Sequence, residues 1–259
     1  MLKGLKITLF ALLAVFSVGF LADLQIAEAV EDSITVNVDP ALFQLTVNID
    51  GDGTGNVLSI SPSAGVINCG IGTSCSTTYD HGTSVTLKAT ASPGSKFIGW
   101  TGDCSGMGTC TVTMNQPRNV TATFDLNTHN LTVSRQGTGT GTVSFTPLGT
   151  SCGTDCYTYT HGDTVELTTS ASTGSTFSSW FGCDEVNGNT CTVLMDEAKT
   201  ITATFSLNTY DLNVSIDDGT GSVTSSPPGI SCGTDCSQSY PYNTKVNLTA
   251  KAGENYVFS

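Results

Sequence analysis

An internal repeat of about eighty residues is the feature that most constrains how this chain can fold. The motif Leu45-Thr46-Val47 recurs as Leu131-Thr132-Val133 and as Leu212-Asn213-Val214. In each copy a turn rich in Gly and Thr follows, and then come a pair of cysteines and a tyrosine. A period of this length indicates an array of similar structural units, each of which contacts its neighbours, rather than one large domain.

The recurring segments alternate between apolar and polar residues, which is the pattern of β-strands. At the end of the first copy, Val120, Ala122 and Phe124 alternate with Thr121 and Thr123, so the apolar side chains fall on one face. Beyond the N-terminal segment, no window has an apolar stripe with the period of a helix. The sequence therefore predicts an all-β chain whose modules each contain about five or six short antiparallel strands.

The first 29 residues have the pattern of an export signal, which would form the one helix that we expect. Lys3 and Lys6 precede an apolar run of 16 residues, and Ala27-Glu28-Ala29 offers a cleavage site. An uncleaved membrane anchor is the alternative, but the run is shorter than the roughly 20 residues that span a bilayer. We expect cleavage after Ala29, and a protein that is secreted or held at the cell surface.

The rest of the chain divides into four segments. We assign a spacer to 30–42, module 1 to 43–126, module 2 to 127–207 and module 3 to 208–259. Module 3 stops before the positions where the first two copies have a tryptophan and a second cysteine pair. We therefore expect the chain to be the N-terminal fragment of a longer product.

All ten cysteines follow the predicted signal, and each lies close in sequence to one other cysteine. Their number and spacing favour disulfides formed in an oxidising compartment. Zinc is the alternative, but three, five or seven intervening residues do not match the common zinc motifs. The predicted pairs are Cys69 with Cys75, Cys104 with Cys110, Cys152 with Cys156, Cys183 with Cys191, and Cys232 with Cys236.

The charge balance excludes one class of partner. Nine Lys and Arg residues stand against 22 Asp and Glu residues, giving a net charge of -13. A chain this acidic has no cationic surface for a phosphate backbone, so we expect no binding to nucleic acid.

Candidate catalytic and metal-binding residues all have simpler explanations. Asp50 and Asp52 lie in a glycine-rich loop that could hold calcium, but the second copy has Arg135 and Gln136 there, which favours a hairpin turn. His81 and His161 occupy equivalent turn positions with no free nucleophile nearby. We expect no catalytic residue, no metal site and no cofactor.

Trp100 and Trp180 are the most attractive candidates for binding. An exposed indole can stack on a sugar ring or on a partner protein. Each tryptophan also follows a phenylalanine, Phe97 or Phe177, and precedes a cysteine loop, which suits a core residue whose N–H donates to a backbone carbonyl. We favour the core position and keep ligand stacking as the alternative.

The order of these motifs, from Gly turn through paired cysteines and Trp to a closing Thr-Ala-Thr-Phe segment, resembles the divergent InlB B-repeat family of bacterial surface proteins. The resemblance covers nearly all of 43–259. It implies small β-rich modules, distantly β-grasp-like, that act as spacers or adhesive parts of exported proteins. The chain departs from the pattern at Tyr242-Asn243, where the first two copies have His-Gly. The family supplies no catalytic residues.

These observations predict a non-catalytic exported repeat protein that acts as a surface stalk or as an adhesive array for a surface glycan or protein. One alternative is the accessory arm of a larger secreted enzyme. Another is a carbohydrate-binding module that uses the two tryptophans.

Overall fold

The computed structural model of the chain describes residues 41–63, 66–70, 75–217, 220–233 and 235–257. Its regular elements are all strands, and no helix occurs among the described residues, so the predicted all-β class is confirmed. The predicted signal peptide and most of the predicted spacer lie outside the described residues.

The strands fall into three groups along the chain. Those of module 1 are β1 (Leu42–Asp50), β2 (Gly55–Ser61), β3 (Asn68–Cys69), β4 (Cys75–Asp80), β5 (Ser84–Ala91), β6 (Ser95–Gly102), β7 (Cys110–Thr113) and β8 (Arg118–Leu126). Those of module 2 are β9 (Thr128–Gly137), β10 (Gly141–Thr146), β11 (Thr150–Gly153), β12 (Cys156–Thr160), β13 (Thr164–Ala171), β14 (Ser175–Phe181), β15 (Glu185–Asn187), β16 (Thr190–Leu194) and β17 (Lys199–Leu207). Those of module 3 are β18 (Thr209–Asn213), β19 (Gly221–Ser226), β20 (Ser231–Cys232), β21 (Ser237–Pro241) and β22 (Asn247–Ala252).

Each module is built from two sheets. In module 1 the strand orders are β4-β1-β8-β6 and β3-β2-β5-β7, and in module 2 they are β11-β12-β9-β17-β14 and β10-β13-β16-β15. Module 3 has the shorter sheets β18-β21 and β20-β19-β22. Neighbouring strands are antiparallel except that β1 pairs in parallel with β8, and β9 with β17.

The strand count and the parallel pairs differ from the sequence-based prediction of five or six antiparallel strands. The additional strands β3, β11 and β15 lie next to cysteines and have two to four residues, which is too short for alternation to reveal. The parallel pairs join the first and last long strands of a module. Because these strands are far apart in the chain, a local pattern carries no information about their pairing.

The two sheets of a module enclose its apolar side chains. Val120, Ala122 and Phe124 of β8 are completely buried, as the alternation predicts, and so are their module 2 counterparts on β17, Ile201 and Phe205. Each module has its own cluster of buried residues, and that of module 3 is the smallest. Each module therefore has its own hydrophobic core.

The glycine-rich turn predicted after β1 has a clear steric cause. Gly51 has a φ of +93°, and a Cβ added there would lie 2.0 Å from the backbone oxygen of Phe124. Gly137 repeats this arrangement in module 2, with a φ of +100° and the same 2.0 Å approach to the oxygen of Phe205. Only a residue without a side chain fits this close approach, which accounts for the glycine in both copies.

Candidate functional site

Both tryptophans lie in the module cores. Trp100 is 3% exposed and Trp180 is 9% exposed, and each packs against the preceding phenylalanine with ring centroids 5.4 Å apart. The indole N–H of Trp100 donates to the carbonyl oxygen of Gly108 at 2.8 Å, inside the adjacent cysteine loop. Neither indole presents an exposed face on which a sugar ring could stack.

The two tryptophans differ in one respect. The indole Nε1 of Trp180 is buried and has no hydrogen-bond partner among the described residues. The cysteine loop beside it is two residues longer than that beside Trp100, and it forms the extra strand β15, which pairs with β16. A buried N–H group without an acceptor destabilises a fold by about 1–3 kcal/mol. The loop beside Trp180 therefore forms a longer hairpin but lacks the hydrogen bond to the indole that the shorter loop of module 1 provides.

The ten cysteines form five disulfides, and each links the two cysteines that are close in sequence. The separations are four to eight residues, so each bridge closes a short loop. The chain-entropy relation gives about 2 kcal/mol for a loop of this size, which stabilises the loop and leaves the two sheets to be held by the core. No free cysteine and no group of three metal-binding side chains occurs among the described residues.

The charged side chains near the first module's second disulfide are engaged with each other. Asp103 accepts hydrogen bonds from the backbone N–H of Asn119 at 2.6 Å and from the guanidinium of Arg118 at 2.9 Å. The Asn119 N–H, and then Arg118, lower the pKa of the Asp103 carboxyl from its ordinary value of 3.8. A shallow depression of about 380 Å³ next to this ion pair is lined by the disulfide loop and is open to solvent.

The contacts between successive modules form the most regular polar and aromatic arrangement in the chain. At the first contact, the N–H of Asn127 donates to the carbonyl oxygen of Gly94 at 2.8 Å. The carbonyl oxygen of Asn127 accepts from the N–H of His161, also at 2.8 Å. We call Gly94, Asn127 and His161 joint 1. One linking residue thus bonds to a turn of module 1 and to a turn of module 2.

The second contact repeats these bonds at equivalent positions. The N–H of Asn208 donates to Gly174, and its carbonyl oxygen accepts from the N–H of Tyr242, both at 2.8 Å. We call these three residues joint 2. At the start of module 1, the N–H of His81 donates to the carbonyl oxygen of Ala41 at 2.8 Å, in the same position relative to its own module.

A glycine is required on one side of each joint. Gly94 has a φ of +78°, and a Cβ added to it would lie 2.2 Å from Cδ2 of His161. Gly174 has a φ of +79°, and its added Cβ would lie 2.0 Å from Cδ1 of Tyr242. Each glycine therefore packs its bare Cα directly on the aromatic ring of the next module.

A second aromatic ring packs against the ring of His161 in joint 1, against that of Tyr242 in joint 2, and against that of His81, the equivalent residue of module 1. The pairs, with their centroid distances, are Phe43 with His81 at 5.9 Å, His129 with His161 at 5.5 Å, and Tyr210 with Tyr242 at 6.2 Å. In each pair the first ring comes from the opening strand of the module and the second from the turn beside it. The backbone pairing of these two segments fixes the position of the turn ring, which in joints 1 and 2 contacts the glycine of the preceding module.

His81 and His161 lie in turns, as the sequence predicts, but the contacts that form the joints were not predicted. The departure at Tyr242-Asn243 preserves the turn geometry, because Asn243 has a φ of +65° where Gly82 has +83° and Gly162 has +91°. Asn is among the few residues with a side chain that enter this region at low cost. The signal that was available was the recurrence of an aromatic residue before this position in all three copies.

The described residues contain no helix of the length and apolarity needed to cross a membrane.

The fold is similar to that of a solved bacterial protein. The TIE protein of Bacillus anthracis superimposes with a TM-score of 0.55 at 9% sequence identity, over 84% of this chain and 46% of that one. The chain thus spans about half the length of that protein. The major pilin protein (T-13) of Streptococcus pyogenes gives a TM-score of 0.30 at 13% identity, over 66% of this chain and 98% of the pilin.

Comparison with curated proteins finds no significant match. The family model described as the divergent InlB B-repeat domain matches residues 56–128 and 130–209, which together make up more than half of the chain. The first segment begins within β2 and the second within β9, and together they contain the tryptophans, the first four disulfides and the closing strands of both copies. The chain therefore belongs to the divergent InlB B-repeat family.

Proposed function

We propose that this chain is a non-catalytic spacer that holds other parts of an exported protein, or a ligand-binding end, at a fixed distance and orientation. Membership of the repeat family and five disulfides indicate an exported repeat protein. The finer assignment as a stiff spacer rests on the joints.

The observation that carries the proposal is that both joints use the same contacts. One residue, Asn127 or Asn208, separates the last strand of a module from the first strand of the next. Both of its backbone groups are hydrogen-bonded, one to each module, so the linking residue has little freedom to rotate. The glycine packed on an aromatic ring adds a contact that any bending would have to break.

Residual dipolar couplings measured on the mature protein test this proposal. A stiff array gives one alignment tensor that fits the couplings of modules 1 and 2 together. A control variant with a flexible Gly-Ser insertion after Asn127 is expected to need a separate tensor for each module. If the unmodified protein already needs separate tensors at neutral pH, it is not a stiff spacer.

The adhesive role is a separate part of the proposal and needs its own assay. The mature protein would be tested for binding to glycans, peptidoglycan and matrix proteins. Binding to one of these would assign an adhesive surface to the array. Absence of binding to all of them would leave the spacer role alone.

A further inference from the structure

Joint 1 differs from its equivalents in having two imidazoles in contact. Nε2 of His129 and Nδ1 of His161 are 3.3 Å apart. Both side chains are partly buried. The equivalent pairs contain at most one imidazole: Phe43 with His81, and Tyr210 with Tyr242.

The two nitrogens face each other. The ring centroids are 5.5 Å apart and the nitrogens 3.3 Å apart, a difference close to the sum of the two ring radii. Both nitrogens therefore lie near the line that joins the rings. In such a contact one nitrogen carries a proton and the other offers a lone pair, so the contact holds one proton and has no place for two.

No carboxylate among the described residues forms a hydrogen bond or an ion pair with either imidazole. The titratable and charged groups on the strands that carry or pair with the two histidines, and on the adjoining turns, include Arg135, Tyr157, Tyr159, Asp163, Lys96, Asp125, Asp196, Glu197 and Lys199. Asp163 accepts from the backbone N–H of Thr160 at 2.8 Å, and Asp196 pairs with Lys199 at 3.0 Å. A second positive charge on the pair would thus have no carboxylate in direct contact.

We propose that the His129–His161 pair makes joint 1 acid-sensitive, so that a proton on both imidazoles separates module 1 from module 2. Histidine changes charge between about pH 5 and pH 8, and two like charges at this distance repel. The ring of His161 also forms the surface on which Gly94 packs. If this ring moves, module 1 loses its packing contact with module 2. Joint 2 has two tyrosines in these positions, and a phenol has no basic nitrogen that could take up a proton.

The chain offers internal controls for the experiment. It contains three histidines, so NMR of the mature protein shows three imidazoles, and His81 reports an unpaired one. The pH is lowered from about 7.5 to about 4.5, which spans the range in which histidine side chains commonly change charge. Over the same range, the exchange protection of the Asn127 N–H, corrected for intrinsic rate, should fall at least about tenfold, whereas that of Asn208 should not.

A His129→Phe variant would reproduce in module 2 the contact of Phe43 with His81 in module 1. It keeps an aromatic ring beside His161 but removes one of the two basic side chains. It should keep the Asn127 N–H protected at low pH. The proposal is overturned if the Asn127 N–H of the unmodified protein keeps its protection at low pH, or if the variant loses protection to the same extent. EDTA should leave the transition unchanged, and a shift with EDTA would assign it to a bound metal ion instead.

The proposal builds on the spacer function, but the two can fail separately. Separate alignment tensors for modules 1 and 2 at neutral pH would refute the spacer. A shared tensor that persists unchanged at about pH 4.5 would refute only the acid-sensitive joint.

Discussion

Replacing Gly94 by alanine tests whether the joint, rather than the linker alone, holds modules 1 and 2 together. The substitution has two separable consequences. Alanine at a φ of +78° costs about 1–2 kcal/mol in any context, because the left-handed region crowds its Cβ. At this site the new methyl group would also lie 2.2 Å from Cδ2 of His161, which is far too close for two non-bonded carbon atoms. The ring or the turn has to move.

Gly82→Ala is the matched control in the same module. Gly82 has a φ of +83°, and a Cβ added there meets no atom within 4 Å. The control therefore carries the conformational cost without the collision. Gly174→Ala and Gly162→Ala form the same pair in module 2, where Gly162 has a φ of +91° and an added Cβ would meet no atom within 4 Å. Because Gly162 follows His161 of joint 1, the readout for this pair is the Asn208 N–H of joint 2.

The expected results follow from this division. Both Gly94→Ala and Gly82→Ala should destabilise module 1 by about 1–2 kcal/mol, and each kcal/mol lowers the melting temperature of a module this size by about 4–8 °C. Only Gly94→Ala should abolish the exchange protection of the Asn127 N–H, whose acceptor is the Gly94 carbonyl oxygen. Equal protection of Asn127 in the two variants would show that the glycine contact does not hold the joint.

Two further predictions concern module 1 itself. Trp100→Phe should lower the free energy of unfolding of module 1 by about 1 kcal/mol more than Trp180→Phe lowers that of module 2, because only Trp100 loses a hydrogen bond, the one to Gly108. Urea unfolding monitored separately for each module measures the difference. Equal losses in the two modules would contradict the prediction. The lowered pKa of the Asp103 carboxyl means that its ionised form stabilises module 1 above the ordinary pKa of 3.8, and that this contribution is lost as the pH falls from there through the lower pKa of the folded protein. Asp103→Asn should therefore flatten the decline of the urea midpoint between about pH 5 and pH 2. An unchanged slope would refute the assignment.

The sequence predicted those parts of the fold that depend on neighbouring residues. Alternation along Val120 to Phe124 predicted which side chains are buried, because successive residues of a strand face opposite sides. The glycine turn after β1 was predicted in the same way, from its own composition. The parallel pairing of β1 with β8 was not predicted, because nothing in either strand specifies a partner so distant in the chain.

The joints were missed for a different reason. Gly94 and His161 belong to different copies of the repeat, so aligning the copies places each with its equivalents and never with its partner. The repeat also obscured what the joint requires. In the alignment, His81, His161 and Tyr242 occupy a position that tolerates change. In the structure, each of the three packs against an aromatic ring from the opening strand of its module, and each donates an equivalent backbone hydrogen bond.

The joint requires a flat ring and a glycine, and it does not specify the chemistry of the ring. Packing against the bare Cα of Gly94 or Gly174 depends on shape, which imidazole and phenol both provide. Charge is therefore free to vary at this position without loss of docking at neutral pH. Two histidines in one joint and two tyrosines in the next keep the same architecture, but only the first pair places two basic ring nitrogens in contact. The same backbone hydrogen bonds and glycine–ring contact therefore connect the modules at both joints, and the residue types in the ring pair determine the pH range over which each contact persists.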